Sequence, residues 1–244
     1  MTRLARGRET HLTRAEIAEA ALRRFDAGSE ASIRELAADL RVAPSAIYHH
    51  FSSRVAIVDE ALGLVWREAA EEGLELVDGK ADDPGEVLLA AALATRRAFA
   101  RHHAIAPYLA ATQAANERLA ANLGLLAGAF EGLGLSGEEA AHAFHSYGSF
   151  AIGSTLVLAA RLNLGTPTAV SAAPAPTVGE GPREATRRAL EAMMDVSCAD
   201  PERDEQLFLD GLRRLIASFT PRGDGAPKSP SGAFAASSSA AGRR

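Results

Sequence analysis

The tightest constraint on this chain is a pair of helix-starting signals close together near its N-terminus: Thr13 with Glu16, and Ser32 with Glu35. In each, the hydroxyl satisfies the amide three residues on, while the Glu carboxylate returns to the cap amide, so a helix begins at both places. Gly28 closes the first, whose Ile17, Ala20, Ala21, Leu22 and Phe25 recur at helical spacing. The second carries Ile33, Leu36, Ala37 and Leu40 along one side. After Arg41 and Val42 the pattern predicts a very short helix over Pro44–His50, with the proline in the first turn, where it is tolerated. Ser52 and Ser53 then start a longer helix, to about Gly73, holding Val55, Val58, Leu62, Val65 and Trp66.

Two short helices joined by so brief a turn meet at a steep angle, and the outer face of the second protrudes. A helix displayed in this way fits the major groove of DNA. Ile33, Leu36, Ala37, Val42, Ile47 and Phe51 supply the inward side, and Ser45, Ala46, Tyr48, His49 and His50 the outward one. Between Leu40 and Val58 the only charged residues are Arg41 and Arg54, so an anionic backbone meets no carboxylate there. The net charge of −5 argues against a protein coated in nucleic acid but permits a small, locally basic reading head. Packing is the competing role for Tyr48, and a solvated surface that for His49 and His50. Arg3, Arg6 and Arg8 read either as a solvated tail or as an arm along DNA.

The remainder is also helical by pattern, and the fold class is all-α. Asp78 to Gly85 breaks the periodicity, and Glu86 to Leu162 reads as several longer helices, interrupted near Ile105-Ala106-Pro107 and at Gly132-Leu133-Gly134. Ser136-Gly137-Glu138-Glu139 caps an apolar helix. Residues 165–182 read as a mobile loop, Arg183–Cys198 and Glu202–Phe219 as two more helices, and 220–244 as a disordered tail. The single cysteine, Cys198, forms no intrachain disulfide and suits a reducing cytoplasm. No secretory signal is evident. Ala140 to Ala160 lacks Asp, Glu, Lys and Arg, yet its His142, His145, Ser146, Ser149, Ser154 and Thr155 suit a buried helix better than a membrane span.

The segment SIRELAADLRVAPSAIYHHFSSRVAIVDEAL resembles the DNA-binding head of the tetracycline-repressor (TetR) family. The likeness rests on Val42, Ile47-Tyr48, Phe51 and the cation Arg54, behind two capped helices at the right distance. The chain departs from the family pattern at Arg41, where glycine is common, and at Arg54-Val55, where Lys-Glu is common. The resemblance implies that Ser45, Ala46 and His49 face base edges and that Tyr48 and His50 touch backbone or bases. It further implies phosphate contacts from Ser32, Ile33, Arg41 and Arg54, which suits the chemistry of guanidinium groups and helix N-termini. The expected organisation is a helix-turn-helix domain with its arm at 1–53 and a ligand-binding and dimerising body at 54–219, its connecting helix at 54–73.

One head reads too few base pairs for specificity, so a homodimer on a palindromic operator is expected, its heads about one DNA turn (~34–36 Å) apart. The dimer surface is expected on the Ala140–Ala160 helix, with small Gly148, Ser149 and Gly153, and on the last helix, with Leu207, Phe208, Leu212, Leu215, Ile216 and Phe219. GLGLSGEEAAHAFHSYGSFAIGSTL resembles the C-terminal domain of the tetracycline repressors, but Leu109 or Ala110, Ser149 and Val157 stand where their magnesium–tetracycline ligands stand. The expected effector is therefore a small apolar molecule other than tetracycline. Its candidate contacts are Trp66, Phe99, His102, His103, Tyr108, Gln113, Asn116, Asn122, Phe130, His145 and Tyr147. No metal, no cofactor and no catalytic residue is expected, since the chain carries no phosphate loop, nucleophile elbow or His–Glu metal motif. The competing reading is a helical small-molecule-binding protein or enzyme with a degenerate helix-turn-helix.

Overall fold

A computed structural model describes residues 12–77, 79, 82–110, 126–164 and 200–219, all of them in helices or their connections. The N-terminal arm, the 165–182 loop, the 183–198 helix with Cys198, and the 220–244 tail lie outside the described residues.

Both capping boxes form. Helix α1 (Arg14–Asp26) starts on Thr13, whose hydroxyl accepts from the Glu16 amide at 3.2 Å while the Glu16 carboxylate accepts from the Thr13 amide at 2.8 Å. Helix α2 (Ile33–Leu40) repeats this with Ser32 and Glu35, at 3.3 and 3.2 Å. Arg24 then ties the two together, donating to Asp39 at 2.8 Å and to the Glu30 carbonyl at 2.8 Å, and pairing with Glu35 at 2.9 Å. Helix α2 ends on Arg41 in the left-handed region, with φ +56°. This is a conformation that costs an L-residue with a Cβ about 1 kcal/mol or more. It allows the Val42 amide to reach the Ala37 carbonyl at 2.9 Å and turns the chain sharply into α3.

Helix α3 (Pro44–Tyr48) is shorter than the pattern predicts, since His49 is already its cap and the His50 and Phe51 amides both return to the Ile47 carbonyl. Helix α4 (Arg54–Val77) is longer: Gly73 does not stop it. A Cβ at Gly73 would stand 3.6 Å from the Ala94 side chain, so this glycine permits close packing against α5, and the helix continues until Val77 is buried.

Helix α5 (Pro84–Arg101) begins on Asp83, whose carboxylate accepts from the Gly85 and Glu86 amides. A 3₁₀ turn (Ala106–Ala110) follows. The described part of α6 covers 126–132, and Gly134 with φ +75° turns the chain into α7 (Gly137–Leu164). The last helix, α8 (Pro201–Ala217), starts on Asp200, slightly earlier than the Glu202 start expected from pattern.

Helix α5 lies centrally, packed on α4, α7 and α8. Two apolar clusters result. One runs from Ile17, Phe25, Leu36, Ile47 and Phe51 of the head through Val65 and Trp66 of α4 to Phe99 and Ile105, with no gap between head and body. The second joins Leu88, Phe130, Tyr147, Phe208 and Leu212 within the body. Between α5, α7 and α8, the buried Arg96 guanidinium lies 4.7 Å from the Phe208 ring centre, donates to the Ser154 carbonyl at 3.0 Å and pairs with Asp204.

Candidate nucleic-acid interface

Five residues are too few for a helix to hold its own shape in water, so α3 depends on what packs behind it. Ile47, with no exposed surface, and Phe51 anchor it in the first cluster. That anchoring turns the other side outward. Ser45, Tyr48 (57% exposed) and His49 face solvent, and Ala46 and His50 are half-buried at its edges. Arg41 is exposed just before α3. The projecting face is therefore small, polar and aromatic, without a carboxylate.

The flanking phosphate candidates differ from one another. At the start of α2 the Glu35 carboxylate already sits on the Ser32 amide, and the Ser32 hydroxyl and amide hold the Glu35 carboxyl below its usual range. The Ser32 amide is thus occupied, which leaves the Ser32 hydroxyl proton and the Ile33 amide to meet an outside anion. Arg54 is half-buried and turned partly toward the body. Its Nε donates to the Ala31 carbonyl at 3.1 Å, and one Nη to the Tyr108 hydroxyl at 3.3 Å. Two donors used out of five leave N–H groups for an anion.

Among the described effector candidates, Trp66, Phe99 and Tyr108 belong to the first apolar cluster, and Phe130 and Tyr147 to the second. Trp66 and Phe99 meet edge to face in the first cluster, centroids 5.2 Å apart. Phe130 packs on Tyr147 at 5.7 Å in the second, and the Tyr147 hydroxyl donates to the Leu88 carbonyl at 2.8 Å. Burial pushes that phenol's pKa well above its usual value. His145 is exposed, and His103 pairs with Asn163 at 2.7 Å. Gln113, Asn116 and Asn122 lie outside the described residues. Two surface clefts, one lined by Ala20, Arg23, Arg24, Ala27, Ser29, Asp39 and Leu40 and the other by Leu135, Glu139, His142, Ala143, Ser146, Ser218 and Phe219, include none of the effector candidates.

His102 and Tyr108 hold the joint between head and body. Tyr108 packs on Phe25 with centroids 5.3 Å apart and carries the Arg54 guanidinium over its ring. His102 places one ring nitrogen 3.0 Å from the Asp26 carboxylate and the other 2.9 Å from that of Glu68. Partners so distant in the chain leave no local signal, so nothing in the sequence marks Asp26 or Glu68.

Residues 17–61, from within α1 to within α4, match the family model of the tetR family of bacterial regulatory proteins. The head is a tetR head. Among curated proteins, none matches the sequence. Among solved structures, the fold is similar to that of a TetR transcriptional regulator from Streptomyces coelicolor, at 22% identity, TM-score 0.66, and coverage of 85% of this chain and 97% of that one. It is also similar to the S. coelicolor TetR family protein ActR in complex with actinorhodin, at 20% identity, TM-score 0.67, and coverage of 85% and 96%. A TetR variant from Acinetobacter baumannii in complex with minocycline, at 20% identity and TM-score 0.56, is covered to 93% by 85% of this chain. The TetR fold thus extends well beyond the head. Among the described residues no helix is long and apolar enough to cross a membrane.

Proposed function

We propose that the chain is a non-enzymatic, sequence-specific transcription regulator of the cytoplasm: a homodimeric repressor whose two heads, at about 1–53, read a palindromic operator, and whose body, 54–219, releases the DNA when it takes up a small apolar effector. The observation that carries this reading is the outward face of α3, with Ile47 locked behind it and Ser45, Tyr48 and His49 displayed. In this reading Ser45, Ala46 and His49 read base edges, Tyr48 and His50 touch bases or backbone, and Arg41, the free donors of Arg54 and the Ser32-Ile33 helix start bind phosphates. The second protomer packs against α7 and α8, where Phe144, Val157, Leu162 and Leu207 are exposed and a Cβ at Gly148 or Gly153 would meet nothing within 4 Å. Ligand-bound neighbours of the same fold support an effector, and Leu109, Ser149 and Val157 argue for one bound without the repressors' metal.

Release works by a population shift. An effector that favours a different setting of the 102–110 segment also favours a different head angle, because His102 and Tyr108 grip Asp26, Phe25 and Arg54, and DNA affinity falls reciprocally. The test is selection of binding sites from random duplex DNA, followed by footprinting and in vitro transcription from a promoter overlapping the selected site. The expected result is a palindrome with half-sites about one helical turn apart, and repression. Equal binding to all duplexes refutes the function.

A further inference from the structure

We infer that Arg14, at the first turn of α1, is a positioning residue for the reading helix: it sets the pose of α3 and thereby sequence discrimination, without itself touching bases. This rests on the DNA-reading role proposed above. One of its Nη groups donates to the His50 carbonyl, just past the C-terminal end of α3. The other donates to Glu60 of α4 at 3.0 Å, and the guanidinium carbon lies 4.0 Å from the centre of the buried Phe51 ring. One side chain thus bolts together α1, the end of α3 and α4.

The need for such a bolt follows from the size of α3. A helix this short has most of its end carbonyls without helical partners. Ile47 and Phe51 fix how deep it sits, but apolar packing is non-directional and leaves rotation about the helix axis loosely set. A planar guanidinium held by a carbonyl, a carboxylate and a ring face fixes direction as well. Base reading needs its donors placed within about 0.5 Å and 10–20°, whereas attraction to phosphates tolerates much looser placement. Loss of the bolt should therefore reduce discrimination and leave general DNA affinity intact.

Glu60 makes the inference separable from the bland alternative, a phosphate contact by Arg14 itself. Its side chain is 13% exposed beneath Arg14, which is 52% exposed, so Glu60 is a poor candidate for any DNA contact. The experiment measures affinity for the selected palindrome and for a scrambled duplex across a salt series, with wild type, Arg14→Ala, Arg14→Lys and Glu60→Gln as full-length dimers. Arg14→Ala is expected to lower the ratio of the two affinities about tenfold, equivalent to losing roughly one base-pair contact. Glu60→Gln should lower it in the same direction, and Arg14→Lys, which keeps the charge but not the planar fork, should lie between wild type and Arg14→Ala. Scrambled-duplex affinity and its salt slope should stay at the wild-type value in all three variants.

A different pattern overturns the inference: both duplexes weakened equally by Arg14→Ala, a shallower salt slope and a silent Glu60→Gln make Arg14 a phosphate ligand. Undiminished discrimination in Arg14→Ala and Glu60→Gln also overturns it while leaving the DNA-reading function standing. If wild type selects no sequence, the function fails and the inference with it. Should Arg14→Ala lose its helical melting transition, Glu60→Gln and Arg14→Lys decide the matter by the same ratio.

Discussion

Arg41 allows backbone and DNA chemistry to be separated at one position. With φ +56° and ψ +42° it occupies the left-handed basin, which glycine enters freely and alanine does not. Relief of the Cβ clash is worth about 1–2 kcal/mol in favour of glycine, and the greater freedom of glycine in the unfolded chain gives back about 0.5–1 kcal/mol. Arg41→Gly should therefore be more stable than Arg41→Ala by about 0.5–1 kcal/mol, or about 2 °C in melting temperature for a chain of this size. Comparison of the two variants, rather than of either with wild type, cancels the loss of the guanidinium and its attraction to the C-terminal end of α2. Urea denaturation followed by circular dichroism measures the difference. On DNA, the two variants should behave alike: a loss of affinity for all sequences and a salt slope shallower by about 2 for a dimer losing one phosphate contact per head. An alanine variant as stable as the glycine variant, or more so, would refute the left-handed turn; an unchanged salt slope would refute the phosphate contact while leaving the turn in place.

Arg96→Ala strips the buried pair with Asp204 and the hydrogen bond to the Ser154 carbonyl. Because Asp204 remains partly exposed and retains Arg161 at 3.3 Å, the expected loss is about 3 kcal/mol, at the low end for a broken buried pair, measured by denaturant titration. Gly211→Ala places a Cβ 2.8 Å from the Phe150 ring, itself stacked on Phe208, and should cost about 1–3 kcal/mol of stability and loosen α7 from α8; a neutral melting temperature would show the ring free to move aside. The carboxyls of Glu16 and Glu35 are held down chiefly by hydrogen bonds from Thr13 and Ser32, and that of Glu205 by Arg97. Their folded pKa values lie below the unfolded ones, so this stabilisation is complete above the ordinary carboxyl range and is lost as pH falls through the folded values. Melting temperature should drop on acidification below about pH 4.5, and less so in Thr13→Ala.

What the chain announced locally, it built. The Thr13, Ser32 and Ser136 caps are contacts between residues three apart, and the proline at the start of α3 is a local feature too, so a linear reading sees them directly. Gly73 misled because its significance depends on Ala94, a residue on another helix. Arg54 shows the same limit: its cation marks the family head, but only the fold brings Tyr108 beneath it. For an effector site the sequence offers only polar or aromatic residues in an apolar stretch. Trp66 and Phe99 meet edge to face from two different helices, a pairing that no linear pattern displays.

The apolar seam of Ile17, Phe51, Val58 and Val65 joins the head and α4 into one packed unit. At 1.5 Å per residue, the 24 residues of α4 span about 36 Å. A tilt of only about 5° about its far end carries the reading helix roughly 3 Å, close to the 3.4 Å step between successive base pairs. In the proposed DNA-reading role, leverage of this kind would let a displacement too small to open the body move the reading helix by about one rung of the duplex.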